Sequence, residues 1–544
     1  MAPVDPIGQR PEEGRNLPGR SAAGMALSDP DDQKPTEVAM RPHIIRGSIW
    51  MVAMRWSIRG IGLVSTIILA RLLTPADFGL VAMAMLFVGL IEVFGETGQQ
   101  MALIRFSSPT REHFDSAWTA QILVSLLLGT LVLLAAPLAA LYFDEPRATT
   151  LVQVLSIRVY AIGFENIGTV MFRRELNFAK EFRYGVYKKL IGFFVVVALA
   201  VALRNYWALV IGVVTSQVLG VALSYVMHPY RPRLCFSKIK EIWSFSIWML
   251  VSGVGGYFNG RIDQYIVGGL GNPKVLGHYT VGADLAFIPS AEVIFPMSRA
   301  LFPTYARLGR DPKQLANAYL NVLSVIAIVA ASTSVGLAVV AQDLVFVVLG
   351  EQWLDSADFI FWLSLAAGVV ACSNSVLLVL QAVADPRIVA MQSWTRVLVT
   401  IPLLVGAAQL TDAAGIAAAR FVAILILVPT FFYQLMRVVP VSVWELLGVT
   451  WRPFVSAAVM GAMVTGLSAQ MLDLAPVMRL AIEVPAGAIT FILVLGLLWL
   501  AAGRPPGAER AALRYLRGRL SRLTPLTEAA RGPKGVRGSS DPVD

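Results

Sequence analysis

Apolar stretches of about 20 residues follow one another along nearly the whole chain. Each is long enough to cross a hydrocarbon core of roughly 30 Å as a helix. In lipid the backbone must satisfy its own hydrogen bonds, so only helices and closed barrels can span. The short alternating segments of a barrel are absent. The expected class is therefore an all-α polytopic membrane protein with about 14 transmembrane helices. Only 15% of the residues are charged, against about a quarter in soluble domains.

The expected spans run roughly 45–70, 78–101, 116–142, 148–171, 184–203, 206–227, 243–268, 277–300, 316–341, 357–383, 388–410, 413–436, 452–471 and 480–502. Residues 1–43 are polar and rich in Pro, Gly and Asp, and are expected to form a disordered cytoplasmic extension. They lack the basic region and apolar core of a cleavable signal.

A net charge of +10 raises the question of nucleic acid, but the cations are distributed as the positive-inside rule requires. Arg105 and Arg111 follow span 2. Arg173, Arg174, Lys180, Arg183, Lys188 and Lys189 are assigned to the loop after span 4. Arg231, Arg233, Lys238 and Lys240 follow span 6, and Arg299, Arg307, Arg310 and Lys313 follow span 8. The alternate connections carry single cations, Arg71, Arg147, Arg204 and Lys274, and the one around Asp343, Glu351, Asp355 and Asp358 carries none. An even span count with both termini cytoplasmic is expected, and no nucleic-acid partner. Two cysteines, Cys235 and Cys372, and four scattered histidines offer neither a disulfide framework nor metal spacing.

The tetrapeptide SIWM occurs at Ser48–Met51 and again at Ser246–Met249, 198 positions later. At the same offset, Leu72 falls on Leu270, Pro75 on Pro273 and Gly79 on Gly277. Six spans separate the copies, so both run through the membrane in the same direction, a parallel repeat about an axis along the membrane normal. The predicted architecture is an N-lobe over residues 44–240, a C-lobe over 241–440, two appended spans over 441–502 and a basic cytoplasmic tail over 503–544. A cavity between two such lobes suits a transporter that rocks one against the other.

The stretches LARLLTPADFGLVAMA (Leu69–Ala84), FGETGQQMALIR (Phe94–Arg105) and FPMSRALFP (Phe295–Pro303) resemble the polysaccharide transporter family. That family belongs to the multidrug, oligosaccharidyl-lipid and polysaccharide exporter superfamily. The resemblance covers roughly residues 44–440. It implies a flippase for lipid-linked oligosaccharides in O-antigen, capsule or exopolysaccharide assembly. A lipid-linked oligosaccharide and the bilayer are then the expected partners, with a polysaccharide polymerase and export machinery as further ones.

Charges inside spans mark pathways by default. Arg55 and Arg59 lie four apart on one face of span 1, Glu92 and Glu96 four apart in span 2. Span 4 carries Arg158 and Glu165, span 7 Arg261 and Asp263, span 8 Asp284 and Glu292, and span 12 Arg420. The residues allow two readings. Arg55, Arg59 and Arg158 form a cationic cavity for a phosphate-linked substrate, which the guanidinium fork suits; or they form internal ion pairs such as Arg59 with Glu92. Glu92, Glu96, Glu165, Asp284 and Glu292 are candidates for ion binding or pairing, and Arg420 is read as structural. Pro289, Pro296 and Pro303, seven apart in and after span 8, are read as kinks of a gating helix or a bent packing helix. In the tail, Leu513, Leu516, Leu520 and Leu523 share a face among Arg514, Arg517, Arg519 and Arg522, read as an interfacial helix on an anionic leaflet or as a solvated disordered tail.

Three functions compete: a flippase for undecaprenyl-diphosphate-linked oligosaccharide, an ion-coupled multidrug exporter, and a membrane polymerase or ligase. The outward connections are short for an enzyme of the last kind, and no GxxxxGK[ST] loop is present to hydrolyse ATP. No cofactor is expected.

Overall fold

The computed structural model describes residues 34–95, 103–104, 106, 109–175, 177–243, 246–384, 386–505 and 507–510. The chain divides into two units, Met1–Ile49 and Trp50–Asp544. In the first, residues 34–49 are helical. The second holds all the remaining helices.

Among the described residues, fourteen long helices overlap the expected spans: α1 (Lys34–Leu72), α2 (Pro75–Glu92), α3 (Arg111–Phe143), α4 (Arg147–Gly163), α5 (Phe178–Leu203), α6 (Trp207–Met227), α7 (Ser246–Gly268), α8 (Pro273–Leu308), α9 (Pro312–Val339), α10 (Ser356–Val383), α11 (Pro386–Leu410), α12 (Ala413–Val438), α13 (Val443–Gln470) and α14 (Pro476–Ala501). Among the described residues, 11 helices are long and apolar enough to cross a membrane. The chain is a multi-pass membrane protein.

The boundaries differ from expectation where capping chemistry decides them. Lys188 and Lys189 lie inside α5, as the expected span 184–203 places them and contrary to their count with the loop after span 4; Asn177 accepts from the Lys180 amide and starts the helix six residues before that span. Span 4 stops at Gly163 rather than running to about residue 171. Buried Asn166 interrupts it: its amide is taken by Ser224 Oγ at 3.0 Å, and its side chain donates to the carbonyls of His228 and Tyr230. The α-helical part of span 2 ends at Glu92 and tightens into a 3-10 turn at Val93–Gly95; Glu96, expected to share a face with Glu92, lies outside the described residues. The amphipathic tail segment from Leu513 and residues 1–33 also lie outside them.

The repeat appears as packing. In the N-terminal half (α1–α6), α4 packs on α2, α3 and α6, and α5 packs on α6; in the C-terminal half (α7–α12), α10 packs on α8, α9 and α12, and α11 on α12. The appended α13 packs on α9 and α14. The halves meet chiefly where α2 crosses α8, and the local chemistry of the two helices is matched at the offset of 198. Thr74 caps α2 in a capping box with Asp77, and Asn272 caps α8 by accepting from the Lys274 and Val275 amides. Pro75 and Pro273 hold the first helical position of each, where a missing N–H costs nothing. Gly79 and Gly277 then let the backbones touch: a Cβ on Gly79 would lie 1.6 Å from the Pro273 carbonyl oxygen.

The halves are joined by an extended strap over His228–Lys238 that lies along the start of α3. The amides of Arg233 and Cys235 donate to Asp115 Oδ1 and Thr119 Oγ1, both at 2.9 Å, and that of Lys238 to Ser116 Oγ at 3.2 Å. Tyr230 adds its hydroxyl to Asp115 Oδ1 at 2.6 Å. The positions Asp115, Ser116 and Thr119 lie on one face of a helix, which is why an extended chain can run along them.

Candidate functional site

The end of α2 opens into a cavity of about 290 Å³ between α2, α3 and α4. Its polar groups are Glu92, Arg158, Gln121 and Ser125. Gln121 caps α4 from the side, donating its amide to the carbonyls of Ile162 and Gly163 at 2.9 and 3.3 Å. The Ile162 carbonyl also accepts from the Glu165 amide at 3.2 Å, so Gln121 adds a further donor at this helix end. Arg158 Nη1 donates to Glu92 Oε1 at 2.5 Å. Their side chains are 23% and 22% exposed, so the pair faces the cavity rather than being sealed inside protein.

Glu92 thus pairs with Arg158, and the expected example of an Arg59–Glu92 pair is not the arrangement found. Helix order gives the reason: α2 packs against α4, and α1 touches α5 instead. Trp50 stacks edge-on against Phe182 with ring centroids 5.0 Å apart, and Met54 and Ile58 reach Gly185. Glu165, just past α4, is held by α5, accepting from Tyr184 Oη at 2.5 Å and Lys188 Nζ at 3.0 Å.

Arg55 and Arg59 are half-buried on α1. Arg59 and Lys189 of α5 are close enough for their charges to repel, and the Lys189 ammonium lies 3.7 Å from where a Cβ of Gly62 would be. Asp284, solvent-accessible on α8, is within electrostatic reach of Arg261 on α7 and of Arg59. Arg261 donates to Gln264 Oε1 at 2.8 Å. Tyr257 on α7 donates its hydroxyl to the Leu86 carbonyl of α2 at 2.7 Å. These charged side chains come from α1, α2, α4, α5, α7 and α8, so both halves contribute them. Among them Arg158 pairs directly with Glu92, Arg59 is within electrostatic reach of Lys189 and Asp284, and Asp284 is within reach of Arg261.

Lys189 was missed as a site residue because a basic run beside an expected span end reads as a cytoplasmic loop. The signal that finds it is the span 184–203 itself, which places Lys188 and Lys189 one turn after Tyr184 in one helix.

Arg420 has the structural surroundings expected of it. Its guanidinium lies 3.2 Å from Asp263 and donates to the Asn259 carbonyl at 2.8 Å, and Asp263 also accepts from Tyr279 Oη at 2.8 Å. Asp263, Tyr279 and Arg420 are all buried, so this knot ties α7, α8 and α12 together away from the cavity. The helix α8 runs unbroken from Pro273 to Leu308, through Pro289. The side chains of Glu292, Pro296 and Pro303 lie outside the described residues. Among the described residues, no three His, Cys, Asp or Glu side chains come together to hold a metal ion.

The sequence profile of a family described as polysaccharide biosynthesis protein matches residues 68–358. The chain is 24% identical over 337 residues to the succinoglycan biosynthesis transport protein ExoT of Rhizobium meliloti (strain 1021), covering 61% of this chain and 68% of that protein. It is 22% identical over 426 residues to the lipopolysaccharide biosynthesis protein WzxC of Escherichia coli (strain K12), covering 77% of this chain and 86% of that protein. Among solved structures, the lipid II flippase MurJ in an inward closed conformation aligns with a TM-score of 0.69 at 13% identity, covering 84% of this chain and 100% of that chain. At that identity the likeness concerns the fold alone.

Proposed function

Because the chain belongs to the polysaccharide biosynthesis protein family, we propose that it is a flippase that carries an undecaprenyl-diphosphate-linked oligosaccharide across the bacterial inner membrane by alternating access. The observation that carries this reading is the Arg158–Glu92 pair facing a polar cavity, with Arg59 and Lys189 within electrostatic reach of each other on α1 and α5. Charged side chains at membrane depth mark substrate pathways by default. A diphosphate is an anion of the right charge, and guanidinium groups bind it without losing their proton. Arg55, Arg59 and Arg158, with Lys189 and Arg261, are the proposed contacts, and Glu92 is the carboxylate that holds Arg158 until substrate arrives.

The remaining parts follow from the cargo. A glycan cannot cross hydrocarbon unaided, because its hydroxyls would lose their hydrogen bonds; a polar cavity between two lobes removes that barrier while the lipid tail stays in the bilayer. Diphosphate leaving a negative-inside cell gains about 2.3 kcal/mol per charge per 100 mV. The charge alternation along the sequence supports cytoplasmic termini, with the α1–α2 and α7–α8 connections outside. In this reading α8, with Pro289, Pro296 and Pro303, is the helix that bends as the lobes rock, and the product is handed to a polysaccharide polymerase and export machinery.

Deleting the gene in its host and separating lipid-linked intermediates by leaflet tests the proposal. Accumulation on the cytoplasmic leaflet is expected. Unchanged intermediates with raised sensitivity to cationic drugs indicate a multidrug exporter. Normally translocated intermediates with no polymer indicate a polymerase or ligase.

A further inference from the structure

At the end of α1 the Leu69 carbonyl accepts from the Leu73 amide, but the Ala70 and Leu73 carbonyls take donors from the opposite half. The Ala70 carbonyl accepts from Trp353 Nε1 at 2.8 Å and from Gln352 Nε2 at 2.6 Å, and the Leu73 carbonyl accepts from Gln352 Nε2 at 3.3 Å. In the reverse direction, Arg71 Nη2 donates to the Val347 carbonyl at 2.7 Å. All the partners belong to the connection between α9 and α10. Trp353 is fully buried there, edge-on to Phe78 of α2 with centroids 5.1 Å apart. It joins Ala70, Val281, Val345 and Ile360 in a small core with members from both halves. Gly350, at φ 107, turns the connection back toward Arg71, whose Nη1 would lie 3.1 Å from a Cβ at that position.

The repeat makes this arrangement informative. In the N-terminal half the corresponding connection, between α3 and α4, is only residues 144–146; in the C-terminal half it contains the helix Ala341–Val348 and the 3-10 turn Glu351–Trp353. The contact related by the repeat is accordingly thinner. Tyr142 Oη donates to the Tyr265 carbonyl at 3.2 Å, and the Phe143 ring fills the space beside Gly268. Both contacts flank the α2–α8 crossing, so the same end of the bundle is closed three times, most heavily by the element present in one half alone.

We propose that Gln352 and Trp353 form a latch that holds this end shut by capping α1 from the opposite half, and that releasing it is required for the halves to part there. Parting the halves strips the indole N–H and two helix-terminal carbonyls of their partners until water replaces them. The latch therefore favours the closed state and lets go in one step once water enters. It rests on the transporter reading in one respect: the latched end is the outer one.

The test uses the full chain with Cys235 and Cys372 replaced by Ser and one reporter, Val281→Cys, at a position 3% exposed in the core beneath Trp353. A membrane-impermeant maleimide is added to intact cells or to inverted vesicles. Trp353→Phe keeps the ring and removes the donor, and Gln352→Met removes the other at an accessible position. The double variant is expected to raise the labelling rate from outside roughly two- to tenfold, the range set by losing ordinary hydrogen bonds. Gln352→Met alone should move it the same way by less, which keeps the test valid if Trp353→Phe lowers yield. An unchanged rate in normally produced Gln352→Met and double variants overturns the latch. Faster labelling only from inverted vesicles upholds the latch and overturns the assigned orientation.

Discussion

Gly79 and Gly277 lie against each other at the crossing of α2 and α8: a Cβ on Gly277 would lie 1.8 Å from the Pro75 carbonyl oxygen, and one on Gly79 1.6 Å from that of Pro273. Both obstacles are backbone, which cannot swing aside as a side chain can. Replacing either glycine with Ala is expected to force the helices apart at a cost of about 1–3 kcal/mol. Gly79→Ala and Gly277→Ala should each lower the melting temperature of the detergent-purified protein. By the repeat their effects should be similar, and a silent variant would mean the crossing is looser than described.

The Arg158–Glu92 pair should behave as a coupled unit in a double-mutant cycle. Arg158→Ala leaves a carboxylate unpaired beside the cavity and should reduce the yield of folded protein. Because both side chains are about a fifth exposed, the loss should stay below the about 3–5 kcal/mol of a fully buried pair. Adding Glu92→Ala should restore the yield without restoring surface polysaccharide. Recovery of both quantities would make the pair purely structural.

Asp263 and Arg420 give the contrasting case. Their side chains are 4% and 9% exposed, so removing one partner strands a charge in the protein interior. Arg420→Ala is expected to destabilise by about 3–5 kcal/mol and to be poorly produced. Production of Arg420→Ala at wild-type level would show that the knot joining α7, α8 and α12 is dispensable.

The charge pattern also predicts sidedness. Reporters fused at Lys180, Lys238 and Arg310 should report the cytoplasm, and reporters near Glu145 and Glu351 the outer side. An outer signal at Lys238 would invert the strap between the halves and, with it, the even number of spans before it.

The spans were readable because lipid demands long apolar helices, a signal that survives local irregularity. The repeat was readable at Pro75, Pro273, Gly79 and Gly277 because those residues serve backbone geometry, which sequence reports directly. The caps at Thr74 and Asn272 complete the match. Pairing was not readable. Whether Glu92 meets Arg59 or Arg158 depends on which helix stands next to α2, and intrahelical spacing carries no information about that. Lys189 was hidden by its place beside an expected loop, and Gln352 and Trp353 by an uncharged connection whose donors gain meaning only when α1 ends beside them.

The most direct measurement is translocation by the purified chain in proteoliposomes loaded with a labelled undecaprenyl-diphosphate oligosaccharide, comparing wild type with Arg59→Lys and Arg59→Ala. Lys keeps the charge but loses the fork that matches phosphate. Wild type should move the lipid between leaflets, Arg59→Lys should retain part of that rate, and Arg59→Ala should lose most of it while remaining folded. A folded wild-type protein that leaves the lipid in its starting leaflet, or an Arg59→Ala variant that moves it at the wild-type rate, would contradict flipping through this cationic set.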